Sequence, residues 1–61
     1  MKTVYEKLTD VLYLRAKYGK VRKTIKINNH TLIDLDKKGS LIGIEVLDAS
    51  KHVPKELIKS V

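Results

Sequence analysis

Asp34, Asp36, Glu45 and Asp48 are the carboxylates spaced closely enough to converge on one site. Asp34 and Asp36 are two apart, so on a strand they share a face, and a following strand brings Glu45 near them. Such a set suits a hard cation or a proton relay, which need several convergent oxygens. Basic residues are close at hand, however, and cross-strand ion pairing accounts for the acids without a metal. His30 sits in turn-forming sequence and His52 just before Pro54; neither has a second His or a Cys at ligand spacing, so both are expected to face solvent. Ser40, Ser50 and Ser60 lack the strand–turn–helix context of a serine nucleophile. Gly39 to Gly43 is a turn entering a strand, not a phosphate cradle. No catalytic residue, cofactor site or metal site is expected, and the chain reads as a non-enzyme.

The basic residues are more informative. Arg15, Lys17, Lys20, Arg22, Lys23 and Lys26 lie between Val11 and Ile33, a stretch without Asp or Glu. The rest of the chain holds seven basic and seven acidic residues, so the whole net charge of +6 resides in this stretch. Tyr13 lies among these bases and Tyr18 at the turn. Basic strands with an interleaved aromatic can track phosphates and stack on bases. Tyr13, Arg15, Lys17, Lys20, Arg22 and Lys26 are therefore the candidate nucleic-acid contacts. The structural alternative is an exposed hairpin whose edge is protected by charge.

The elements that position these residues follow from periodicity. Val11 to Ala16, Val21 to Asn28, Thr31 to Asp36 and Leu41 to Asp48 alternate apolar and polar side chains as strands do. Turn chemistry separates them at 17–20, 28–30 and 37–40. The predicted fold is α+β: a four-stranded antiparallel β-meander, five-stranded if Lys2 to Tyr5 adds a strand, with one C-terminal α-helix over Ser50 to Val61 packed on one face. In that meander Leu12 faces Ile25, Leu14 faces Lys23, Ile27 faces Ile33, Leu35 faces Ile42 and Ile33 faces Ile44. Lys26 then lies across from Asp34. Gly19 is expected to supply a positive φ at its turn, and Pro54 to occupy the first turn of the helix. Val11, Leu32, Leu41 and Leu47 remain on the outer face with Tyr13, more apolar surface than a solvated face needs.

Sixty-one residues make a single domain, 1–61, and a marginal one. A chain of this size buries only about 60% of its unfolded surface. With no Cys, neither a disulfide nor a thiolate zinc site can support it. Support from a partner subunit is expected, and the outer apolar residues are the candidate interface of a homodimer or a small protein partner. No stretch is long and apolar enough for a membrane helix, and the N-terminus lacks the apolar run of a signal peptide, so a cytoplasmic location is expected.

Tyr5 with Asp10-Val-Leu-Tyr-Leu14, then Leu32-Ile-Asp-Leu-Asp36 with Gly39, then Ile42-Gly-Ile-Glu-Val-Leu-Asp-Ala-Ser50 resemble the short bacterial and archaeal proteins of domain of unknown function 2283. The likeness runs from Tyr5 to Ser50, and its last block is the most specific. Asp48 stands where Asn is usual, Glu6 and Lys7 depart from the pattern, and the chain is more basic than members tend to be. The resemblance implies a sheet-plus-helix fold and no activity. The toxin–antitoxin-like genes near some members make an antitoxin-like role one expectation. The function read from the sequence is thus a protein-binding or assembly module, with nucleic-acid binding through a basic hairpin over 11–33 as the alternative.

Overall fold

The computed structural model describes residues 1–61. Five strands form one antiparallel sheet: β1 (Lys2–Glu6), β2 (Val11–Arg15), β3 (Lys23–Asn28), β4 (Thr31–Leu35) and β5 (Leu41–Val46). Two short helices follow, α1 (Ala49–His52) and α2 (Lys55–Lys59). The α+β class holds, and the N-terminal segment does form a fifth strand.

The strand order is β1-β2-β5-β4-β3. β3, β4 and β5 form a meander as expected, but β2 pairs with β5 rather than β3. The expected 11–33 hairpin therefore does not exist. Charge explains the difference. A β2–β3 hairpin would place Lys23 opposite Leu14 and bring the Lys-bearing β3 inside the sheet. At the edge β3 is exposed along its whole length, and Lys23 and Lys26 stay in water. The most apolar strand, β5, takes the centre, where Ile42, Gly43 and Val46 are buried.

Residues 16–22 consequently cross the end of the sheet. Ala16 and Lys17 donate their N–H groups to the Ile42 carbonyl, and Arg22 donates to that of Leu35. Gly19 passes so close to Ile42 that a Cβ there would lie 2.9 Å from Ile42 Cδ1. Close approach, and not the expected positive φ, is what glycine provides at this position.

Registers differ from expectation in two places. β3 meets β4 with Ile25 opposite Ile33 and Thr24 opposite Asp34, so Lys26 faces Leu32 and not Asp34. A tighter turn and an irregularity between Lys26 and Asn28 account for the shift. It is two residues, so each side chain keeps its face. Ile33 faces Ile44 as predicted, but a bulge after Asp34 sets Leu35 against Leu41 instead of Ile42.

The C-terminal helix is also broken in two. Asp48 enters α1 in the left-handed region at φ 51°. Val53 is extended, and Pro54 stands at the N-cap of α2 rather than inside a first turn. The residue before a proline is driven out of the helical region, which forces this break.

Leu12, Val46 and Ala49 form the core, flanked by Tyr5, Ile44, Val53 and Ile58. Both helices therefore lie on the face that carries Leu12 and Val46. Five residues are buried in all. No helix is long and apolar enough to cross a membrane.

Candidate functional site

Cross-strand partners share a face, so the registers assign the outer face to Val4, Tyr13, Glu45, Leu32 and Lys26 in one row. Lys2, Arg15, Gly43, Asp34 and Thr24 form the next row. Tyr13 reaches diagonally across Gly43, and its hydroxyl donates to Asp34 Oδ2 at 3.2 Å. Thr24 donates to the other Asp34 oxygen at 2.8 Å. Partial burial, and then the Asp34 carboxylate beside it, raise the Tyr13 hydroxyl above its usual range. Tyr13 is thus fixed as a cover over the central glycine, and Asp34 is occupied by hydroxyls.

The basic candidates are dispersed. Arg15 lies over the rings of Tyr13 and Tyr18, at 5.2 and 4.7 Å from their centroids. Lys26 stands on β3, away from the crossing segment. Lys17, Lys20 and Arg22 come together, and the β4–β5 turn adds Lys37 and Lys38, which were not among the sequence candidates. With Tyr18, Gly19 and Asp36 they line a cleft of about 340 Å³. The available signal was topological: in an antiparallel sheet the 17–20 and 37–40 turns fall at the same end.

Asp36 organises this cleft. One oxygen accepts the N–H groups of Lys38 and Ser40, both at 2.9 Å. The other meets Lys17 Nζ at 2.7 Å, the one ion pair of the molecule. The Lys17 ammonium and the turn N–H groups hold the Asp36 carboxyl below the usual carboxylate range.

Asp10 builds a second polar cluster at the opposite end of the sheet. It accepts the Tyr5 hydroxyl at 2.6 Å, the Ser50 N–H at 3.0 Å and the Ser50 hydroxyl at 2.7 Å. Its backbone carbonyl takes the Ala49 N–H. Asp10 thereby caps α1 from a distant turn, a task Asp48 does not perform. Tyr5 and then Ser50 lower the Asp10 carboxyl, and Asp10 raises the Tyr5 hydroxyl.

The two histidines are not independent. Their rings stack at 3.6 Å between centroids, and His30, expected in solvent, is half-buried. The stack ties the β3–β4 turn to α1. No group of three His, Asp or Glu side chains converges on a cation-sized space.

Of the apolar candidates, Val11 opens β2 opposite Glu6, Leu32 faces Glu45 and Lys26 within the sheet, and Leu47 lies in the turn after β5, its N–H donated to the His30 carbonyl. All three are half-buried. Leu41 lies at the other end of β5, opposite Leu35. The four do not make one patch.

The family model described as "Protein of unknown function (DUF2283)" matches residues 2–50. The chain belongs to this family. No curated protein and no solved structure matches it. The blocks that carry the DUF2283 likeness have structural tasks here. Tyr5, Asp10 and Ser50 form the helix clasp. Tyr13, Asp34 and Gly43 form the outer-face brace. Asp36 orders the β4–β5 turn. Asp48 holds a left-handed conformation that Asn, usual in DUF2283 at that point, also tolerates well.

Proposed function

We propose that the chain is a non-enzymatic assembly module whose helix-side sheet face is completed by a second copy of itself. One observation carries this reading. Leu14, Ile44, Ile33 and Ile25 form a continuous apolar row on the helix side, yet the core under the helices involves only its Ile44. Towards β3 the row opens to solvent at Ile25, 40% exposed, and Ile27 further along that strand is 55% exposed. A domain normally buries such a face against another layer.

A second copy suits this face better than an added edge strand does. Pairing β3 with its own copy would set lysines against one another, since Lys23 and Lys26 have no acid on that strand. Face-to-face packing about a two-fold axis leaves those ammonium groups at the rim. A stable dimer requires about 800 Å² from each copy. The chain exposes 4560 Å², so less than a fifth of its surface suffices. The outer-face residues Val11, Leu32 and Leu47 are already shielded by neighbours and offer less.

Sedimentation equilibrium tests the proposal. The wild type should be dimeric at micromolar concentration, and Ile25→Lys with Ile27→Lys should make it monomeric with an unchanged circular dichroism spectrum. A wild type that stays monomeric at every concentration would sink self-association. It would leave a different protein, such as a toxin in an antitoxin-like role, as the occupant of the face.

A further inference from the structure

We infer that the cleft between the crossing segment and the β4–β5 turn is a binding site for single-stranded nucleic acid. Its phosphates would meet Lys20, Arg22, Lys37 and Lys38, and one base would stack on Tyr18. This inference is independent of self-association.

Charge is the first ground. Lys17, Lys20, Arg22, Lys37 and Lys38 line the cleft with a single carboxylate, Asp36. Lys17 is bound to that carboxylate at 2.7 Å, and no other ion pair exists in the molecule. Four cations therefore converge unpaired. Lys2, Arg15 and Lys23 stand at the same end of the sheet, where β2 and β4 finish and β3 and β5 begin. Asp34, in one row with Lys2 and Arg15, offsets part of this charge, and Glu6, Asp10 and Asp48 lie at the other end. A focused positive field of this kind attracts polyanions.

Tyr18 decides which polyanion. It is 75% exposed, although it lines the cleft. The Arg15 guanidinium lies 4.7 Å from its ring centroid, which steadies the ring from one side. Its remaining surface is open at the mouth of the cleft. An exposed aromatic beside unpaired cations is the arrangement that holds unstacked bases with their phosphates. Duplex bases present no free face to Tyr18, and inorganic polyphosphate has no base. The crossing segment is also well anchored, by Ala16, Lys17 and Arg22 backbone bonds on its two sides. The backbone that carries Lys17 and Arg22 is therefore positioned before any ligand arrives.

The test is fluorescence anisotropy with a labelled oligothymidylate, repeated over a salt series. The wild type should bind at low salt, with affinity falling steeply as salt rises. Tyr18→Ala should weaken binding about tenfold while leaving the salt slope unchanged. Lys37→Gln with Lys38→Gln should lower the slope by about 1.4, since each neutralised phosphate of a single strand supplies roughly 0.7. Lys51→Gln with Lys55→Gln removes the same charge elsewhere and should change the slope little. No binding at low salt would overturn the inference, as would equal losses in the two lysine pairs. Duplex or polyphosphate competing as well as oligothymidylate, with Tyr18→Ala silent, would reduce the cleft to a general anion patch and overturn it too. Amide shifts in the wild type on adding the oligonucleotide give a check that needs no variant. They should centre on Gly19, Lys37 and Lys38, and shifts centred on β1 or α2 would contradict the site.

Discussion

Asp10 shows how one side chain can join three parts of a small domain. Its carboxylate holds the Tyr5 hydroxyl of β1 and both polar groups of Ser50, so the β1–β2 turn, the first strand and α1 meet at one residue. These donors favour the charged form, so the folded-state value lies below the ordinary 3.8. The sign follows by linkage. A carboxyl depressed on folding contributes stability that is complete above its unfolded value and is lost as pH falls through its lower folded value. Asp10→Asn should therefore lower Tm most at neutral pH. The gap to the wild type should narrow as pH falls below 3.8. Thermal melts of both proteins across that range check this, and a gap independent of pH would argue against the charged clasp. The clasp was only half legible in the sequence. Tyr5, Asp10 and Ser50 stand in the blocks that resemble DUF2283, but Ser50 is forty residues from Asp10. No local pattern connects positions so far apart; the antiparallel β2–β5 pairing does.

Strand positions and faces were legible because apolar alternation has a period of two, and a shift by two residues preserves it. Strand neighbours were less so. The β3–β4 and β4–β5 turns are short and make adjacent strands pair, whereas the segment 16–22 is long enough to cross the sheet and read misleadingly as a hairpin turn. The lysines of β3 were the signal that it belongs at an edge. The resulting β2–β5 contact places Tyr13 over Gly43, so that a Cβ there would run into the Tyr13 ring and lie 2.9 Å from the Leu14 carbonyl oxygen. Gly43→Ala should destabilise the domain by about 1–3 kcal/mol, the usual cost of overpacking. The double variant Gly43→Ala with Tyr13→Ala should cost less than the two single changes added together, because the clash with the ring is removed. Chemical denaturation of the four proteins measures this coupling. Strict additivity would mean that the ring does not brace the glycine.

At the scale of the whole molecule the sheet is larger than the layer that covers it. Two helices of four and five residues shield the β1–β2–β5 side, and the β4–β3 side keeps its apolar row open. The candidate cleft sits at one end of the same sheet, so assembly through the face would leave it accessible and present two cationic clefts per dimer. Small size and surplus apolar residues made a partner surface an expectation of the sequence. That reading favoured the outer face because a single long helix was expected to cover the inner one, and the break at Pro54 is what leaves that cover incomplete. The most direct measurement is the thermal midpoint of the wild type as a function of protein concentration. If a second copy completes the fold, Tm rises with concentration, because association favours the folded state by mass action. A Tm that does not move across the accessible range would contradict the account.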